Sequence, residues 1–163
     1  MSGTIEASCV REPDPLPGFT ATRAKELLAE LRRAHEDMAN GIAQMEQATA
    51  TAEPDSSRYP QARWRLSLAS RTGRALVEKI CKELQPGMTA ADAEQLHRLQ
   101  QEELNGLHAS ARHVQNWTMT TIAQDWDGYR AASAEIRTAM RTRIEREKAV
   151  LYAFLQRAGA WGL

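Results

Sequence analysis

The stretch from Trp126 to Phe154 restricts the fold more than any other part of the chain. Stepping alternately by three and four residues picks out Trp126, Tyr129, Ser133, Ile136, Met140, Arg143, Glu147, Val150 and Phe154. Side chains at this spacing share one face of an α-helix. The face is apolar at both ends and ionic in the middle, at Arg143 and Glu147. A helix with such a seam must bury it against neighbours. Two adjacent charges on a buried seam then require a polar site or a structural ion pair, because an unpaired buried charge is costly.

Three further segments carry matching seams. The first, about Thr22 to Ala48, presents Leu28, Leu31, His35, Met38, Ile42 and Met45, with His35 as its one polar member and Gly41 off the seam. The second, about Ala62 to Leu84, presents Leu66, Ala69, Gly73, Leu76, Ile80 and Leu84. Gly73 at mid-seam either lets two helices approach closely or makes room for a large group opposite. The third, Ala90 to about Asn116, follows the turn Gln85-Pro86-Gly87-Met88. Thr89 and Asp92 resemble a capping box at its start. Leu96, Leu99, Leu107, Val114 and Trp117 are expected to face inward, with Glu103 on or beside that face.

The connections are read from breaker residues. A loop is expected at residues 49–61, which hold Pro54 and Pro60. A short lead-in over Thr118–Asp125 precedes the fourth helix, and no helix is expected from Ala158 onward. Residues 1–19, with Pro13, Pro15, Pro17 and Gly18, read as a mobile arm, because alternate prolines forbid a helix. Segments of similar length, each about 35–45 Å long, predict an all-α, up-down-up-down antiparallel four-helix bundle over residues 20–163.

Composition excludes several function classes. Lys+Arg and Asp+Glu are balanced at 21 each, so the basic excess or stripe that nucleic acid requires is missing. There is no apolar run of about 18 residues, so no membrane span is expected. Met1–Val10 lacks the pattern of a secretory signal. Cys9 and Cys81 read as free thiols in a reducing cytoplasm. Phosphate-binding loops, nucleophile elbows and Cys-x-x-Cys pairs are absent, so no catalytic residue is assigned. A small ligand or a protein partner, and a monomer or homodimer, fit this composition. Trp64, Trp117, Trp126 and Trp161 read as aromatics capping the core, and His97, His108 and His113 as surface or boundary residues.

In an antiparallel bundle the helix middles meet, which would gather His35, Gly73, Glu103, Arg143 and Glu147. Three arrangements suit such a layer. His35, Glu103 and Glu147 could ligate a metal such as iron. Arg143 could instead neutralise the two carboxylates in a metal-free cluster. The layer could also line a small-molecule pocket.

The chain resembles the hemerythrin-like (HHE cation-binding) domains, especially their short bacterial branch. The likeness rests on Leu31-Arg32-Arg33-Ala34-His35-Glu36, Arg63-Trp64-Arg65-Leu66 and Gln101-Glu102-Glu103-Leu104-Asn105-Gly106-Leu107. It continues in Asp125-Trp126-Asp127-Gly128-Tyr129-Arg130 and in the run Arg143 to Tyr152. The resemblance implies a four-helix bundle with a non-haem di-iron centre held by histidines and bridging carboxylates, often used to bind oxygen or to sense oxygen, iron or redox state. His35 matches the helix 1 histidine, and Glu103 stands near the helix 3 contribution. The His-x-x-x-Glu of helix 2 falls on Gly73 and Val77, and that of helix 4 on Arg143 and Glu147. Ala153 stands where the family often has proline. The resemblance therefore implies an incomplete di-iron site, no bound cofactor, and a binding, regulatory or scaffold role. The alternative is a non-haem iron protein that senses oxygen or redox state.

Overall fold

The computed structural model describes residues 19–160. Met1–Gly18, including most of the expected arm and Cys9, lie outside the described residues, as do Trp161–Leu163. Among the described residues every regular element is helical.

Helix α1 spans Ala21–Ala48, and Thr20 caps it by accepting from the Arg23 N–H at 3.1 Å. Its buried stripe is Ala24, Leu27, Leu31, His35, Met38, Gly41, Ile42, Met45 and Ala48. Leu27 holds the position expected of Leu28, and Gly41 proves to be part of the interface. A Cβ at Gly41 would stand 3.2 Å from the Leu66 Cα, so glycine sets the close approach of α1 to the next helix.

That helix, α2, spans Arg58–Leu84 and starts four residues before the expected Ala62. Pro60 falls in its first turn, where a missing N–H leaves no helical bond unmade. Asp55 supports the start by accepting from the Ser57 and Arg58 N–H groups and from the Ser57 hydroxyl. The buried stripe of α2 includes Leu66, Ser70, Gly73, Val77 and Ile80. Ser70 and Val77 therefore replace the expected Ala69 and Leu76.

A single 3-10 turn, Gln85–Gly87, leads to α3, Ala90–Asn116, capped as expected by Thr89. Only Leu96 and Leu99 of α3 are buried. Leu107 and Val114, expected to face inward, are 45% and 51% exposed, and Trp64, expected to cap the core, is 61% exposed. The cause is tertiary: α3 packs on the last long helix but touches α2 only sparingly.

Thr118 caps a separate short helix α4, Met119–Gln124, in place of the expected lead-in. Asp125 ends it and caps α5, Trp126–Glu147, by accepting from the Gly128 N–H at 2.9 Å. A Cβ at Gly128 would lie within 2.1 Å of that carboxylate, which explains the glycine. Helix α5 runs through a π-helical turn, Lys148–Tyr152, into α6, Ala153–Ala160. The expectation of no helix from Ala158 onward is thus corrected, since Ala158, Gly159 and Ala160 are helical. The π turn holds one residue more than an α turn. It moves the seam from the expected Val150 to the fully buried Leu151, and brings Leu155 in beside Phe154.

The core divides into two clusters. One contains Leu27, Leu31, Val77, Ile80, Leu84, Leu96, Leu99, Leu151, Phe154 and Leu155. The buried Cys81 belongs to it, and burial pushes its thiol up to about 12. The other contains Met38, Ile42, Met45, Tyr59, Leu66, Ile122, Trp126, Tyr129, Met140 and Ile144. α1, α2 and the continuous helix α5–α6 each pass from one cluster to the other through a polar or small residue, His35, Gly73 or Glu147, while α3 gives buried side chains only to the first.

Candidate functional site

The polar layer begins with helix spacing. Arg143 and Glu147 are four residues apart on α5, so they share a face, and the Arg143 Nε–H donates to Glu147 Oε1 at 2.5 Å. The π turn starts directly after Glu147 and carries Tyr152 back towards α1. His35 bridges the two elements. Its Nε2 lies 2.7 Å from Glu147 Oε2 and its Nδ1 lies 2.8 Å from the Tyr152 hydroxyl. With Glu147 ionised, His35 Nε2 donates to the carboxylate, and the Tyr152 hydroxyl closes the other side of the ring at Nδ1. His35, Arg143 and Glu147 are only 5%, 4% and 1% exposed.

Glu103 reaches the same cation from α3, its Oε2 standing 3.1 Å from Arg143 Nε. Arg74 of α2 anchors Glu103 in turn, with its Nη1 donating to the Glu103 carbonyl at 2.8 Å and to its carboxylate at 3.3 Å. On the far side of the guanidinium, Arg143 Nη1 donates to the Ser70 hydroxyl at 3.1 Å. Arg143 Nη2 lies against Gly73, where a Cβ would stand 3.3 Å away. Of the two readings of Gly73, room for a large group opposite is the one this contact illustrates. Two buried atoms of the cluster, Glu103 Oε1 and Arg143 Nη2, have no hydrogen-bond partner.

The two carboxylates occupy different electrostatic environments. Burial pushes Glu103 up to about 7, and the neighbouring Glu147 charge pushes the same way against the pull of Arg143 and Arg74. Burial acts on Glu147 in that direction too, but the His35 hydrogen bond and the Arg143 charge outweigh it and hold its carboxyl below the usual range. One carboxylate thus stays ionised while its neighbour titrates near neutrality. Such a pair can hold a proton on Glu103, and the chain Glu147–His35–Tyr152 runs on from it towards the half-buried Tyr152.

All five residues singled out in the sequence converge: His35, Gly73, Glu103, Arg143 and Glu147. The three with metal-ligand chemistry, His35, Glu103 and Glu147, meet around a guanidinium. Among the described residues no group of three or more His, Cys, Asp or Glu is arranged to hold a metal ion. The donor set fits a di-iron centre poorly. Arg143 Nε stands between the two carboxylates, and arginine keeps its charge at any ordinary pH. Gly73 and Val77 offer no side-chain ligand from α2.

Ser70, Arg74 and Tyr152 complete the layer and were not singled out as site residues in the sequence. Ser70 lies four residues after the seam residue Leu66, a signal that could have marked it. Arg137 is also buried and donates to the Ser133 hydroxyl at 2.6 Å. His97 and His108 are exposed, and His113 is half-buried against the Tyr129 ring. No helix among the described residues is long and apolar enough to cross a membrane. No protein-family model, curated protein or solved structure matches the chain.

Proposed function

We propose that the chain is a hemerythrin-like, up-down-up-down antiparallel four-helix bundle in which an arginine-centred ion cluster occupies the position of the di-iron centre. In this reading it is a cytoplasmic binding, regulatory or scaffold protein. The observation that carries it is the Arg143 guanidinium set between Glu103 and Glu147 with Ser70 and Gly73 behind it. α1 runs from the first core cluster to the second, and α2 and the helix α5–α6 run from the second to the first, which favours the up-down order. Protein from iron-supplemented cells should carry far less than one iron per chain by elemental analysis. Two irons per chain with an oxo-to-iron absorption band would sink this reading.

A second reading is a non-haem iron protein that binds oxygen or senses redox state through His35, Glu103 and Glu147. The convergence of these side chains and the unpartnered Glu103 Oε1 favour it. It requires that Fe(II) raise the melting temperature, as any ligand of the native state must, and that His35→Ala abolish the rise.

A further inference from the structure

Where the second half of α3 stands away from α2, a cavity of about 440 Å³ opens into the methionine- and aromatic-rich cluster. That volume lies in the range of small-molecule sites. Its walls are apolar, with Met45, Leu66, Trp117, Tyr129, Ile136 and Met140 among them. Ser70, Ser110 and Ser133 interrupt them, and Ser70 and Ser133 are more than nine-tenths buried. Each of these serines is backed by an arginine. The Ser70 oxygen accepts from Arg143 at 3.1 Å, the Ser133 oxygen from Arg137 at 2.6 Å, and the Ser110 oxygen from Arg74 at 3.5 Å. A hydroxyl whose oxygen accepts from a guanidinium keeps its own O–H to donate, and the cation strengthens that donor.

The residues that line the cavity carry no negative charge. Arg63 lines it, and no aspartate or glutamate does. Behind the serines, Arg137 Nε and Arg143 Nη2 are buried without partners, although Arg143 Nε is held by Glu103 and Glu147.

We propose that this cavity binds a small organic carboxylate with an aromatic body, the body packing on Trp117 and Tyr129 and the carboxylate accepting from the arginine-backed serine hydroxyls. The apolar walls alone would take any hydrophobic compound; the serine hydroxyls and Arg63, with no carboxylate in the lining, select the anion. The inference deepens the binding role proposed above by naming a ligand class, yet it needs no particular metal state. Iron loading would defeat the earlier reading and leave this one standing, whereas failure to bind the carboxylate would do the reverse.

The test is calorimetric titration of the full chain with 2-naphthoate and with 2-naphthamide, which share a ring system and differ in charge. The expected result is one naphthoate per chain, bound about tenfold or more tighter than the amide, as suits a charged hydrogen-bond acceptor. Ser133→Ala should weaken naphthoate several-fold and leave the amide nearly unchanged. Because that change also removes a partner of Arg137, Ser110→Ala provides a variant at a half-buried site with only a long bond to lose. It should weaken naphthoate selectively too, and by less. No naphthoate binding, equal affinity for the two compounds, or unaltered affinity in both folded variants would each overturn the proposal.

Discussion

The two halves of the core are built from different materials. The cluster holding Leu27, Leu31, Val77, Ile80, Leu96, Leu99 and Leu151 is mostly aliphatic, and α1, α2, α3, the π turn and α6 close around it. The cluster holding Met38, Met45, Met140, Tyr59, Trp126 and Tyr129 relies on methionine and aromatic rings, and α3 gives it no fully buried side chain. Branched aliphatic side chains fill space in few rotamers, whereas methionine adapts to irregular gaps. One half therefore fixes how the helices meet, and the other leaves the room in which a cavity forms. The ionic layer is the partition. Ser70 belongs to both sides, holding Arg143 and lining the cavity.

The largest effect should come from breaking the partition. Arg143→Met would leave Glu147 buried beside Glu103 without its counter-charge, and it should cost about 3–5 kcal/mol in urea unfolding. Pairing it with Glu147→Gln should recover much of that loss. If the single variant is as stable as the wild type, the cluster is not holding the halves together. A step smaller is the contrast between halves. Leu31→Ala should fall near 4 kcal/mol (roughly, in a closed aliphatic site), while Met140→Ala beside the existing cavity should fall near 2 kcal/mol (roughly), since cost rises with the void left behind. Equal losses would remove the distinction between closed and open halves.

The third effect depends on pH. Glu103 is raised in the folded protein from the usual 4.5 to about 7, so the folded state holds a proton that the unfolded chain releases. Stability from this group is full below pH 4.5 and falls as pH rises towards 7. The opposite shift at Glu147 contributes stability that is present at neutral pH and lost in acid. Glu103→Gln should therefore match the wild type near pH 5 and exceed it by about 2 kcal/mol near pH 8. Chemical denaturation at the two pH values checks this, and a variant that is less stable at pH 8 would contradict it. Smallest is the cap at the open half. Asp125→Ala should cost about 1 kcal/mol and leave the ionic layer intact, as judged by an unchanged pH dependence of stability.

The ionic layer was legible because charges at seam positions break an otherwise apolar repeat, as Arg143 and Glu147 do. His35 stood out on α1 for the same reason. The seam beyond Glu147 was not legible. The π turn Lys148–Tyr152 carries no glycine or proline to mark it, yet it moves the seam from Val150 to Leu151 and adds Leu155 beside Phe154. Leu107 and Val114 continue the α3 repeat faithfully, and only the tertiary gap beside α2 leaves them in solvent. Ser70 and Ser133 are small enough to pass as neutral members of a seam, so their arginine partners could be found only in three dimensions. Pro60 misled in the other direction, since a proline in the first turn of a helix looks in sequence like the end of a loop.

The central claim is that the Arg143 guanidinium, and not a metal ion, lies between Glu103 and Glu147. Its most direct test is the Arg143 Nε–H resonance in protein labelled with ¹⁵N at arginine, assigned by its loss in Arg143→Lys. The signal should be slow to exchange with solvent, shifted by Glu147→Gln, and unaltered in width when Fe(II) is added without oxygen. Broadening of that signal beyond detection by one or two equivalents of the paramagnetic metal would place iron within the cluster and contradict the account.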